Sequence, residues 1–144
     1  MKFYIASRLE NAEEVSTLAE VLKAAGHTHT YDWTAHGSAK DEVMEQVARN
    51  ELRGVMAADI VIILLPGGRG THAELGIALG SSCESIIICA KDDGASQQDG
   101  WPCPFYWNTG VKRVVGDMAA WLVEILQTAR AVDCMAAAEC CEGR

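Results

Sequence analysis

The sequence predicts an α/β protein, a doubly wound three-layer sandwich built on a mostly parallel, flavodoxin-like sheet of about five strands. Three observations carry this. Short apolar or β-branched runs alternate along the 144 residues with amphipathic helical patterns, and the connections between them are short. The run from Ile60 to Leu65 is apolar at every position, as in a strand with both faces covered. Pro66 and the glycines at 67, 68 and 70 break that run before a helix begins. Strand, glycine turn, helix is the layout with which such sheets present ligands at their carboxyl edge.

In chain order, Lys2 to Ala6 reads as a short central strand. Asn11 with Glu14 predicts the cap of a first helix, whose packing face is Val15, Leu18, Val21, Leu22 and Ala25 and which Gly26 ends. His27 to Asp32 predicts an edge strand. Ser38 with Asp41 predicts the cap of a second helix running to about Met56. At about 100° per residue, Val43, Met44, Val47, Ala48, Leu52 and Val55 form one apolar arc with Glu51 in its middle. A carboxylate there is costly unless it has a partner or a task, so Glu51 is either a rim residue paired with an arginine or a functional acid. After the Ile60–Leu65 strand a short helix is expected to start near Thr71, then a buried strand from Ser85 to Ala90. A polar loop (91–100) leads to the aromatic cluster Trp101 to Trp107, a lid or an interface. Val111 to Val115 predicts a fifth strand. Asp117 predicts the cap of a last helix with Met118, Trp121, Leu122, Ile125 and Leu126 inward. One domain is expected over 1–132, with 133–144 as helix end or tail.

Composition narrows the function. A hydrophobic share of 49% suffices for one core, and the net charge of -8 argues against nucleic acid polymers and anionic membrane surfaces as partners. No apolar segment is long enough to span a bilayer, and the first residues lack a signal pattern. Cysteines 83, 89, 103, 134, 140 and 141 form no CxxC and no Cys/His metal spacing. Free thiols in a reducing cytoplasm are expected, with no metal.

Three readings compete at the glycine turn. Gly68-Arg69-Gly70-Thr71-His72-Ala73 fits the dinucleotide pattern GxGxxA, with Asp92 further on. That pattern normally follows the first strand of its unit, and Glu74 would bring negative charge where a pyrophosphate sits. Thr71 and Glu74 also fit a capping box, in which Glu74 only satisfies the Thr71 N–H. Alternatively, Glu74 is a nucleophile: a helix N-terminus favours its ionised form, and the glycines let a ligand come close. His72 reads as a surface residue, two positions from Glu74 and pointing away from it.

Phe3-Tyr4-Ile5-Ala6-Ser7, Tyr31-Asp32-Trp33, and above all Ala58-Asp59-Ile60 through Pro66-Gly67-Gly68-Arg69-Gly70-Thr71-His72-Ala73-Glu74-Leu75-Gly76 resemble the nucleoside 2-deoxyribosyltransferase family, over most of the chain to about Ala129. The resemblance implies a doubly wound fold, no metal or other cofactor, and cleavage of the N-glycosidic bond of 2'-deoxynucleosides through a glutamyl-deoxyribosyl intermediate. The deoxyribosyl group then passes to a second base. By position, Glu74 matches the nucleophile and Tyr4 the tyrosine whose hydroxyl orients it. Glu51 falls where the family usually has an aspartate that exchanges a proton with the leaving base; its being Glu is a departure that puts base preference in question. Asp32, Trp33, Gly68 and Gly70 complete the expected substrate site. The resemblance also implies a homo-oligomer, with Asn108 the candidate for a pocket residue lent by a neighbouring subunit. One branch of the superfamily hydrolyses deoxynucleoside 5'-monophosphates and holds the phosphate with a Ser/Arg pair; Ser7-Arg8 stands there, with Arg69 near. That hydrolase and a non-catalytic nucleotide-binding protein are the alternatives. The mechanism expects Glu51 to have a raised pKa and Glu74 to stay ionised.

Overall fold

The computed structural model describes residues 1–36, 40–92, 101 and 103–142. Its strands are β1 (Lys2–Ala6), β2 (Thr28–His29), β3 (Ile60–Leu64), β4 (Ser85–Ala90) and β5 (Val111–Val115). Its helices are α1 (Ala12–Ala24), α2 (Asp41–Met56), α3 (Arg69–Leu79) and α4 (Met118–Glu142). All five strands are parallel in the order β2-β1-β3-β4-β5, the doubly wound flavodoxin-like arrangement expected. The chain runs one way from β1 to β2 and the other way from β3 onward. The order therefore reverses between β1 and β3, and the crevice beyond their carboxyl ends is where such sheets bind ligands.

Burial explains which strands were easy to recognise. Every residue of β3 is buried, as are Phe3 to Ala6 of β1 and Ile86 to Ala90 of β4, so the sheet centre is apolar on both faces. Val15, Leu18, Ala19 and Leu22 of α1 cover it, while Val21 and Ala25 of the expected face lie in solvent. Trp121, Ile125 and Ala129 of α4 seal the β4–β5 side, and the Trp121 indole donates to the Ala90 carbonyl at 3.3 Å. Asp117 caps this helix as expected, accepting from the Ala120 N–H at 3.0 Å. The segment beyond Asp133 continues α4 as far as Glu142.

Several local expectations are corrected. The edge strand β2 has two residues, not six, because only Thr28 and His29 pair with β1 before the chain turns. Asn11 holds the N-cap position but makes no capping bond; its amide bridges Ser7 Oγ at 2.8 Å and the Pro66 carbonyl at 3.1 Å. Lys40 occupies the N-cap of α2, and Ser38 lies outside the described residues, as does most of the polar loop 91–100. Helix α3 starts at Arg69, close to the expected start near Thr71. The apolar arc of α2 is not a core face: Val43 is 49% exposed, Met44 52% and Leu52 43%, and only Gly54 and Val55 of the helix are buried.

Candidate active site

Ser7 follows β1 and the glycine turn follows β3, so the order reversal brings them to one edge. Between them lies a cleft of about 360 Å3 whose wall includes Ser7, Arg8, Trp33, Glu51, Gly68, Gly70, Thr71 and Glu74. Leu9 and the α2 residues Met44, Val47 and Ala48 complete it. The apolar arc of α2 thus has a partial explanation: one edge of it is cleft wall, and Glu51 belongs to that wall.

Glu74 sits in the second turn of α3, only 7% exposed. The Tyr4 hydroxyl, brought in from the sheet, donates to Glu74 Oε1. Burial and the two nearby carboxylates push the Tyr4 ionisation far above its ordinary range, so the hydroxyl keeps its proton and serves only as the donor in this pair. The capping-box reading of Glu74 is overturned. Thr71 is itself the third residue of the helix, and its Oγ1 accepts from the Gly68 N–H at 3.0 Å.

The electrostatics also depart from expectation. Burial pushes the Glu74 carboxyl up to about 7; the Tyr4 hydrogen bond pulls it down and the Glu51 charge adds to the rise. Burial likewise raises Glu51, which is half-buried. Both acids are raised, not Glu51 alone. The reason is depth: a helix terminus stabilises a carboxylate by about 0.3–1 kcal/mol within its first turn, whereas desolvation of a nearly buried one costs more.

The remaining expected residues divide. Trp33 lines the cleft, with its indole N–H already given to the Ile5 carbonyl at 2.8 Å. Ser7 Oγ donates to the Leu64 carbonyl at 2.9 Å and accepts from Asn11. Arg8 is exposed and lies 3.7 Å from Glu10. Three residues fall outside the cleft wall. Arg69 faces solvent between the two lining glycines. Asp32 turns back to accept from the N–H and hydroxyl of Thr34. Asn108 is exposed after the short helical turn Pro104–Trp107.

Two further residues shape the site. Gly54 of α2 packs against the Tyr4 ring: an added Cβ would lie 2.8 Å from Tyr31 Cβ and 3.0 Å from two Tyr4 ring carbons. A glycine inside a helix is the signal that would have found it. Asn11 ties the end of β1 to the turn after β3, and its polar side chain carries no sign of that role in sequence.

No protein-family model matches the chain, and no curated protein does. Among solved structures it is similar to the CMP N-glycosidase BcmB of Clostridium botulinum, with a TM-score of 0.61 and 16% identity. The alignment covers 89% of this chain and 99% of that one. The likeness is one of fold. Among the described residues, no cluster of three or more His, Cys, Asp or Glu is suited to a metal, and no helix is long and apolar enough to cross a membrane.

Proposed function

We propose that this chain is a nucleoside 2-deoxyribosyltransferase-like enzyme that cleaves the N-glycosidic bond of a 2'-deoxynucleoside or its 5'-monophosphate. The observation that carries this is that the buried Glu74, held by Tyr4, and a second acid, Glu51, line one cleft. One carboxylate is oriented by a neutral donor and the other stands on an apolar wall.

In the first half-reaction a Glu74 oxygen bonds to C1' as the C1'–N bond breaks. The bonding pair goes to the base nitrogen, which takes the Glu51 proton. The oxocarbenium-like transition state is stabilised by the Glu74 charge. In the second half, a base or a water attacks C1' and frees Glu74 while Glu51 takes the proton back. Because both carboxyls are raised, the pair holds one proton over part of the pH range, and the productive form is the one with that proton on Glu51. The Tyr4 O–H aimed at Glu74 favours this form.

Transfer of the sugar to a second base is the first reading of the acceptor. Hydrolysis of a 5'-monophosphate is the second, supported by Arg8 on the cleft wall beside Gly68 and Gly70. The fold shared with a CMP N-glycosidase supports it too. The exposed apolar side chains of α2, Val43, Leu52 and Met56, support assembly into a homo-oligomer. Chromatography of base release from each deoxynucleoside and deoxynucleoside monophosphate, with and without a free second base, tests the proposal. Exchange with little net hydrolysis supports the transferase, and release from monophosphates alone supports the hydrolase. Silence across the panel, with nucleotide binding by calorimetry, would leave a binding protein instead.

A further inference from the structure

The glycine turn is the part of the cleft wall with the least side chain of its own to hold it. Its peptide planes therefore need pins if the turn is to present one surface. Gly68 is pinned at both ends. Its N–H donates to Thr71 Oγ1 at 3.0 Å. Its carbonyl accepts twice from His72, from the backbone N–H at 3.3 Å and from Nδ1 at 2.7 Å. A carbonyl can only accept, so Nδ1 carries a proton and donates to it. The Tyr106 hydroxyl lies 2.7 Å from Nε2 and hydrogen-bonds to it. The two rings stack with centroids 5.8 Å apart and planes 20° from parallel.

Tyr106 is itself well anchored. It is 1% exposed, Trp101 meets it edge-on at 6.0 Å, and its carbonyl accepts from Arg113 at 3.0 Å. The Arg113 guanidinium lies 3.8 Å over the Trp107 ring. The exposed histidine that the sequence marks as a surface residue thus has both ring nitrogens engaged, one by the turn and one by the aromatic segment.

We propose that His72 and Tyr106 are positioning residues that tie the aromatic segment between β4 and β5 to the Gly68 peptide, and so fix the glycine turn lining the cleft beside Glu74. The kinetic consequence rests on the catalytic reading above; the tie itself does not. Glu74 is aimed separately, by Tyr4 from β1. Loosening the tie should therefore weaken binding along the turn and spare the nucleophile, raising KM more than it lowers kcat.

The test uses Tyr106→Phe, which keeps the buried ring and removes the hydroxyl. Hydrogen exchange on the unliganded chain should show amides 68–72 exchanging about tenfold faster, as expected for loss of about one hydrogen bond. The central amides of β3 and β4 should be unchanged. In turnover, KM should rise about tenfold with kcat within about twofold. His72→Ala should do the same, and the double variant should be no worse than His72→Ala, because Tyr106 acts through His72. Unchanged exchange at 68–72, or protection lost evenly across the sheet, would overturn the proposal, as would a fall in kcat at constant KM. A faster-exchanging turn in a protein that releases no base from the panel would support the tie and overturn the catalytic reading.

Discussion

Replacing Glu74 by Gln should make the protein more stable. A carboxyl that titrates at about 7 in the fold and at 4.5 ordinarily binds its proton more tightly when folded. Its folded pKa is raised, so the stability it contributes is full below 4.5 and is lost as pH rises through about 7. At about 1.4 kcal/mol per pH unit between the two values, ionised Glu74 costs the fold about 3 kcal/mol at neutral to alkaline pH. Gln has the same shape, still accepts from Tyr4, and cannot ionise. Thermal melts of both proteins followed by circular dichroism should place Glu74→Gln above wild type at about pH 8, by roughly 10 °C for a chain of this length. The gap should close toward about pH 5. A variant equal to or less stable than wild type at about pH 8, or an offset independent of pH, would refute the claim that burial of the Glu74 charge is a cost retained for function.

Tyr4→Phe removes the donor that favours ionised Glu74. The acid limb of kcat/KM, expected near the Glu74 value of about 7, should move up in pH, and kcat should fall about tenfold to hundredfold, the range for a hydrogen bond to a charged group. A pH–rate profile with an unmoved limb would contradict this. Glu51→Gln should cost about hundredfold or more in kcat and remove the alkaline limb, as for loss of a general acid; pre-steady-state base release measures it. Gly54→Ala forces a Cβ to within 2.8 Å of Tyr31 and 3.0 Å of the Tyr4 ring. It should cost about 1–3 kcal/mol and lower turnover as Tyr4 leaves Glu74, although alanine is the better helix former. Urea titration and kcat together check this.

The sheet was legible in sequence because its centre is apolar on both faces: Ile60 to Leu64 is a short, β-branched, wholly apolar run closed by Pro66 and glycines, as a buried strand is. The edges were less so. The polar run His27 to Asp32 reads as an edge strand, but only Thr28 and His29 pair with β1, and Asp32 turns its carboxylate to Thr34. Tyr4 and Glu74 lie 70 positions apart, and their hydrogen bond follows from no local pattern, whereas Glu51 stands out on a helical wheel. The wheel is blind to what its apolar face meets, and here that is a cleft and solvent rather than core. The spacing of Thr71 and Glu74 was misleading in a physical way. Thr71 does make a capping bond, but toward Gly68, so the helix begins two residues earlier, at Arg69, and Glu74 falls in its second turn. Glu74, expected to be ionised, is instead raised by burial, which the sequence spacing does not reveal. The His72–Tyr106 contact joins residues 34 positions apart, and no local pattern announces it.

The most direct measurement is the mass of the protein quenched in acid during turnover of a deoxynucleoside or its monophosphate. If Glu74 attacks C1', a pentosyl adduct (with its phosphate, for a monophosphate) should accumulate on the peptide spanning Arg69–Leu79 and map to Glu74. The adduct should be absent from Glu74→Gln. Base release by wild type with no adduct at any time point, together with undiminished release by Glu74→Gln, would contradict a covalent role for Glu74.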